Sequence, residues 1–256
     1  MLSKNKPKIL IVGANGNLGS YLSQHFESDK FYRNVDLNDF LEKAYDIIIY
    51  CASNAKNLKS GQLNDYYYDN YGLLQDILKI QHQYLIYFSS VDVYSQLTEV
   101  CSENSEIEIR DVPSPYGLFK LLSEELIRKL KGNNFVIIRP AMMISPQSVK
   151  NNLKKIIQDE RPVLSVSPDS EYNVISYPDV LNVIRHFIAT RQTGIYNLAS
   201  SKNIKLFDLA SRLNKKVVWG KYLYKLNKID IAKIAAINPA FFQTSEQVIL
   251  DLYQKK

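Results

Sequence analysis

The chain has 256 residues, 46% apolar and 23% charged, with 32 Lys and Arg against 26 Asp and Glu for a net charge of +6. At roughly 150 residues per domain this is one large domain, or one domain carrying a small second lobe, and the apolar share excludes a disordered or collagen-like chain. Its apolar runs are strand-sized, far short of the roughly 20 residues that a membrane helix requires, and the short run Ile9–Val12 after a charged start does not make a signal peptide.

Short β-branched runs alternate with segments of helical periodicity. Lys8–Val12 precedes Leu18–Phe26, Ile47–Cys51 precedes Tyr68–Ile80, and Tyr84–Ser89 and Tyr116–Leu130 lead to Phe135–Arg139. That alternation predicts βαβ units and a parallel sheet. Continuous apolar strands such as Ile47–Ile49 suit a sheet covered on both faces, so a doubly wound α/β fold is expected. After Pro140 the pattern turns irregular: a helical stretch near Val149–Gln158, a strand-like Tyr172–Ser176, a helix over Asp179–Thr190 and a strand over Gly194–Leu198. The expected division is a main domain over residues 1–145, to which 174–200 return, and a smaller lobe made of 146–173 and 201–256.

Two cysteines, Cys51 in an apolar strand pattern and Cys101 in a polar loop, make neither a disulfide framework nor a metal site. Free thiols in a reducing, cytoplasmic setting are expected. Lys202 to Lys228 holds eight Lys or Arg against the single acid Asp208. This reads as a solvated basic face or an anion-facing substrate lobe. It matches no recognisable nucleic-acid-binding module, and no such partner is expected.

Three of only nine glycines, Gly13, Gly16 and Gly19, stand directly after the first strand. Gly13 suits the tight turn, Gly16 the close approach of backbone to a pyrophosphate, and Gly19 the packing of helix on strand. Asn15 and Asn17 fill positions that tolerate left-handed backbone, and Leu18 opens the helix. The strand–turn–helix context makes this a dinucleotide site, for NAD or NADP. Asp36 follows Gly16 at the spacing of about 20 residues expected of an acid that reaches the adenosine ribose. The stretch from Phe26 to Asp36 is short for a full second strand, which shifts Asp36 toward the adenine. Arg33 and Lys30 are near enough in sequence to hold a 2′-phosphate, or are ordinary surface charges, so the choice between the two cofactors stays open.

Tyr116 and Lys120 stand four apart on a helix that opens at Ser114-Pro115, and both project from one face. The same spacing recurs at Tyr224 and Lys228, so spacing alone decides nothing. What distinguishes Tyr116 is Ser89-Ser90 at the end of the strand Tyr84–Phe88, the edge where a parallel sheet presents residues to a ligand.

With these residues in place the sequence resembles the extended short-chain dehydrogenase/reductases, the NAD-dependent epimerase/dehydratase group acting on nucleotide sugars. The blocks that carry the resemblance are Gly13-Ala-Asn-Gly-Asn-Leu-Gly19, Asp36-Leu37, Cys51-Ala52-Ser53 as the end of the family's fourth strand, Asn70-Tyr-Gly72, Ser90-Val-Asp-Val-Tyr94, Ser114-Pro-Tyr-Gly-Leu-Phe-Lys120 and Arg139-Pro140. Asp179-Val180 and Tyr196-Asn197 follow in order. The resemblance implies a Rossmann-like fold with a small C-terminal substrate lobe and a homodimer. It also implies cofactor contacts from Gly13 through Gly19, Asp36, Leu37, Cys51, Ala52, Ser53, Asn70, Ser89, Tyr116, Lys120 and Pro140, with Ser90, Val91 and Tyr116 at the sugar.

The implied chemistry fits the residue types. A phenol near pKa 10 needs an adjacent ammonium, Lys120, to favour its phenolate. Tyr116 then exchanges a proton with a sugar oxygen while hydride moves to or from the nicotinamide, and Ser90 orients that oxygen. Family members that eliminate water resemble Thr-Asp-Glu where this chain has Ser90, Val91 and Asp92, and a valine cannot exchange protons. His25, His82 and His186 lie away from Ser90 and read as surface or packing residues. The remaining readings are a nucleotide-sugar 4-ketoreductase in deoxysugar or polysaccharide synthesis, a 4-epimerase that retains NAD, a reductase of another carbonyl, and a cofactor-binding regulator without turnover. The family's usual arginine to the substrate pyrophosphate is replaced at its place by Glu171-Tyr-Asn-Val174. Lys154, Lys155, Arg161 and Arg212 are the candidates to stand in for it.

Overall fold

The computed structural model describes residues 6–55, 58, 61–95, 99–148 and 150–253. In chain order the first half comprises β1 (Ile9–Val12), α1 (Asn17–Leu22), β2 (Asp29–Phe31), α2 (Asn38–Leu41), β3 (Ala44–Tyr50), α3 (Leu63–Tyr67), a π segment (Tyr68–Gly72), α4 (Leu73–Ile77) and β4 (Gln81–Phe88). There follow β5 (Val100–Cys101), α5 (Pro115–Lys131), β6 (Phe135–Pro140), β7 (Met142–Ile144), α6 (Asn152–Gln158), β8 (Glu171–Tyr172) and β9 (Val174–Ser176). The chain then forms α7 (Tyr177–Thr190), β10 (Gly194–Leu198), β11 (Ile204–Lys205), α8 (Leu206–Arg212), β12 (Lys228–Ile229), α9 (Ala232–Ala235) and α10 (Ser245–Tyr253). Val149, where helical periodicity was expected to begin, lies outside the described residues.

Packing divides the chain into two compact units: Met1–Ser95, Ile107–Arg139 and Ile184–Tyr196 in one, Gln96–Glu106, Pro140–Val183 and Asn197–Lys256 in the other. The second takes in more chain than the lobe expected from the sequence, because β5 pairs in parallel with β12 and the buried Asn197 side chain donates to the Cys101 and Asp230 carbonyls, each at 3.1 Å. Cys101 is accordingly a buried strand residue rather than part of a polar loop.

The first unit holds a six-stranded sheet in the order β10-β6-β4-β3-β1-β2. Its pairs β1–β2, β1–β3, β3–β4 and β4–β6 are all parallel, and helices flank it, the Rossmann-like arrangement. The run Ile47–Tyr50 is buried along its whole length, as a sheet covered on both faces demands. β2 has only three residues. The strand ending at Cys51 is therefore the third of the sheet and not a fourth, and it lies directly beside β1. The chain leaves β1 for β2 on one side and returns to β3 on the other, which opens a crevice at the carboxyl ends of these strands.

Two helices differ from their expected spans. α1 stops at Leu22, and Ser23 to Phe26 continue as tight turns, with His25 Nδ1 at 2.9 Å from the Tyr21 carbonyl. The helix expected over Tyr68–Ile80 begins earlier and carries the π segment. There Asn70 Nδ2 donates to the Tyr66 carbonyl at 3.0 Å, taking the acceptor that a backbone N–H four residues on would otherwise use.

The second unit has its own core of Ile144, Leu153, Ile156, Leu164, Val174, Leu206, Leu209 and Ile249. The strand expected over Tyr172–Ser176 is interrupted at Asn173, whose side chain accepts the Ser200 N–H at 2.8 Å and donates to the Ser200 carbonyl at 2.9 Å. β8 consequently pairs with β11 and β9 with β7. Asp179 is placed by helix capping: its N–H donates to Ser176 Oγ at 3.2 Å, and the Ser176 hydroxyl donates back to its carboxylate. No helix among the described residues is long and apolar enough to cross a membrane.

Candidate active site

The glycine turn has the geometry that its sequence calls for. Gly13 has a φ of +85°, and a Cβ there would lie 2.6 Å from the Ala52 nitrogen. A Cβ on Gly19 would lie 2.1 Å from the Gly13 carbonyl oxygen. The turn is pinned by the Phe31 carbonyl at the end of β2, which accepts the N–H of Gly13 at 2.8 Å and of Ala14 at 3.1 Å. Asn15, Gly16 and Asn17 are exposed, Leu18 and Gly19 are buried, and no side chain caps the start of α1. Backbone N–H groups at an exposed, side-chain-free helix start beside crowding-intolerant glycines are what a dinucleotide pyrophosphate fits. These residues therefore suit the cofactor class.

The residues expected around the adenosine make local contacts of their own. Asp36 is exposed and its carboxylate accepts the Asn38 N–H at 3.0 Å, a local turn contact next to Leu37. Asn70 engages the loop after β3 from both ends, accepting the Asn54 N–H at 2.9 Å and donating to the Asn54 carbonyl at 3.1 Å. Its structural task is thus to hold the Cys51-Ala52-Ser53 loop. Burial pushes the Cys51 thiol up to about 12, against the opposing charge of Lys120.

β4 and the first turns of α5 bring Ser90, Tyr116 and Lys120 to one edge of the sheet. Lys120 is almost fully buried, with its Nζ donating to the Phe88 carbonyl at 2.7 Å. The same cation lies 4.9 Å from the Tyr87 ring centroid and 5.7 Å from that of Tyr116. Ser90 accepts the Asp92 N–H at 3.1 Å and so opens the single turn Val91–Val93. Ser114 accepts the Gly117 N–H at 3.0 Å and caps α5, with Pro115 in its first turn. Gly117 is a site residue that the sequence reading did not single out. A Cβ there would stand 2.1 Å from the Asp92 carbonyl oxygen, so only glycine lets the start of α5 close onto the turn that follows Ser90. Its signal was its place inside the Tyr116–Lys120 block.

Burial pushes the Tyr116 phenol above its ordinary range, its hydrogen bond with the Ser53 side chain pulls it back, and the Asp92 charge adds to the rise. Burial likewise pushes Lys120 down to about 7, with Cys51 and Glu124 opposing. The Ser53 side chain is the neighbour that favours the charged form of the phenol.

Ser89 faces the other way from Ser90. Its hydroxyl donates to Glu124, which also receives Arg139 Nη2 at 2.6 Å and Nε at 3.0 Å, while Arg139 Nη1 reaches the Tyr94 hydroxyl at 3.0 Å. Burial would lower Arg139, but the hydrogen bonds and charge of Glu124 raise it. Pro140 ends β6 and is buried. Val91, beside Ser90, is buried as well.

In the second unit, three of the four cations considered for a substrate diphosphate are engaged. Lys154 donates to the Pro146 carbonyl at 2.9 Å and to that of Ser148, Lys155 donates to the Val163 carbonyl at 3.1 Å, and Arg212 pairs with Glu246 at 2.8 Å. Arg161 is exposed.

The glycine turn, the strand order and the Ser90, Tyr116 and Lys120 constellation agree with a comparison of sequence profiles, in which the NAD dependent epimerase/dehydratase family matches residues 9–199. The chain belongs to this family. It is thereby an enzyme of the extended short-chain dehydrogenase type, and a nicotinamide dinucleotide is its cofactor class. No curated protein matches the chain. Among solved structures, it is similar to dTDP-4-dehydrorhamnose reductase from Bacillus anthracis in complex with NADP, at 20% identity and a TM-score of 0.77 over 98% of this chain and 100% of that one. UDP-glucuronic acid 4-epimerase from Bacillus cereus, with UDP-glucuronic acid and NAD, is similar at 17% identity and a TM-score of 0.78, over 96% and 98% of the two chains. RMD from Pseudomonas aeruginosa with NADPH is similar at 17% identity and a TM-score of 0.73, over 97% and 100%. At these identities the likeness is one of fold.

Proposed function

We propose that this enzyme is a nucleotide-sugar 4-ketoreductase that converts a sugar carbonyl to an alcohol. The observation that carries the reading is the meeting of Ser90, Tyr116 and Lys120 at the end of β4, with buried Val91 where a dehydratase would carry an acid. Bound NADH or NADPH supplies the hydride. The protein's part is the proton: the Tyr116 phenol delivers it to the oxygen of the carbonyl being reduced, while the Ser90 hydroxyl donates a hydrogen bond to the same oxygen. The Lys120 cation, 5.7 Å from the Tyr116 ring, then favours the phenolate left behind, and the Ser53 side chain hydrogen-bonds to it. Arg161 is the cation best free to meet a substrate diphosphate. The two named neighbours that bind or act on nucleotide-linked sugars support the substrate class, and exposed Leu63, Tyr67 and Tyr68 along α3 and its π segment support a homodimer.

The test is to denature the purified protein, identify any released dinucleotide by mass spectrometry, and mix fresh protein with NADH or NADPH and a panel of 4-keto nucleotide sugars. Consumption of reduced cofactor with alcohol formation is expected. Stoichiometric retained NAD with no net oxidation would make the enzyme a 4-epimerase instead.

A further inference from the structure

Arg33 stands two residues beyond the end of β2, and the Phe31 carbonyl at that strand end holds the glycine turn. The end of the second strand is where a fold of this kind meets the adenosine ribose, reading a free 2′-hydroxyl with an acid or a 2′-phosphate with an arginine. Arg33 is the one cation in the Tyr32–Asp36 stretch. Lys30 lies inside β2, paired with Ile11, and not at its carboxyl end.

The Arg33 guanidinium is held by an acid from another element. Its Nη2 donates to Asp69 Oδ1 at 2.6 Å and Oδ2 at 2.8 Å. Asn54 Nδ2 donates to the same carboxylate at 3.0 Å from the loop after β3. Asp69 is the fixed partner, with 19% of its side chain exposed against 75% for Arg33. We propose that Asp69, by holding Arg33 as its counter-ion at the adenosine end of the site, makes the enzyme select NAD(H) over NADP(H). A 2′-phosphate brings close to two negative charges and has to compete with a built-in carboxylate for one guanidinium. A 2′-hydroxyl is neutral, does not compete for the guanidinium, and has a proton to donate to a carboxylate. Asp36 adds a second acid on the same loop.

This inference rests on the dinucleotide reading of the glycine turn, and the experiment separates the two. NADH and NADPH are titrated into the full-length protein by nicotinamide fluorescence, for the wild type, Asp69→Asn, and Asp69→Asn combined with Arg33→Ala, with a thermal melt of each. The wild type is expected to bind NADH at least about tenfold more tightly than NADPH. Asp69→Asn frees the guanidinium and shifts the ratio toward NADPH by about fivefold or more, and removing Arg33 as well takes that gain away. Equal or tighter NADPH binding by the wild type, or an unmoved ratio in a folded Asp69→Asn protein, overturns the selection. Failure of the folded wild type to bind either dinucleotide overturns the underlying reading instead. If Asp69→Asn does not fold, Arg33→Ala alone serves: it bares the Asp69 carboxylate and is expected to leave NADH binding within about twofold while NADPH binding weakens further, and an equal loss of both or a gain for NADPH would refute the proposal.

Discussion

Arg139 and Glu124 form an ion pair at 2.6 Å with 4% and 1% of their side chains exposed, so a full charge from β6 and one from α5 neutralise each other out of reach of solvent. A pair this buried is costly to assemble but costlier to break, because removing one partner leaves the other charge without solvent. Glu124→Ala is expected to lose about 3–5 kcal/mol of unfolding free energy, and a denaturant melt would show it. Ser89, which donates to Glu124, should be milder: Ser89→Ala removes one hydrogen bond worth about 1–3 kcal/mol where the acceptor is charged. A melt in which Glu124→Ala behaves like a surface substitution would contradict the burial of the pair.

Tyr116→Phe keeps the ring beneath the Lys120 cation and removes only the hydroxyl. Turnover of a keto sugar is expected to fall by about a hundredfold or more, the scale of a lost general acid, while dinucleotide affinity stays within about threefold. Parallel loss of both would mean that the phenol serves the fold.

Gly117→Ala tests whether the approach of α5 to the Val91–Val93 turn matters for chemistry. The added methyl collides with the Asp92 carbonyl oxygen, so helix and turn must separate. The expected result is a stability loss of about 1–3 kcal/mol. Turnover should fall further than dinucleotide binding, because Ser90 and Tyr116 are pushed apart while the glycine turn is untouched. Steady-state kinetics beside a cofactor titration would show the split.

Lys120 gives a pH dependence of known sign. Its folded pKa is lowered to about 7 from an ordinary 10.5, so between those values the unfolded chain binds the proton that the folded chain has released. Stability contributed by this residue therefore rises with pH across that window, and at or below pH 7 the burial of the charged form is felt in full. Tyr116, raised above its ordinary 10, acts in the opposite sense only at higher pH. The unfolding free energy of wild type relative to Lys120→Met is expected to climb from about pH 7 to pH 9.5. A flat or falling difference would show that Lys120 keeps its proton.

The doubly wound fold was legible because β-branched runs such as Ile47–Ile49 and the amphipathic stretch after Tyr116 each have one dominant period. The position of the candidate constellation was legible as well, since strand ends and helix starts fix where Ser90 and Tyr116 fall. What escaped the sequence depends on partners distant along the chain. Asn173 breaks a strand because its amide finds the backbone of Ser200. Cys101 is buried because β12 reaches it from the far end of the chain. Arg33 and Asp69 carry no local pattern that pairs them. Asp36 shows the same limit: its spacing from Gly16 is legible, but the hydrogen bond that its carboxylate accepts from the Asn38 N–H is not.

The π segment between α3 and α4 sets the phase of everything before it. An α-helix turns about 100° per residue, so one extra residue rotates α3 relative to α4 by that amount. Deleting one residue from Tyr68–Gly72 would restore an uninterrupted ladder and strengthen the helix in isolation. It would also swing Tyr66 and the residues before it around the axis, away from Phe119, whose ring now lies 6.0 Å from that of Tyr66. The loop carrying Ser53 and Asn54 would lose the side chain that clasps it. The local irregularity is thus a spacer between two rotational settings, and a shorter, more regular helix here would make a poorer enzyme.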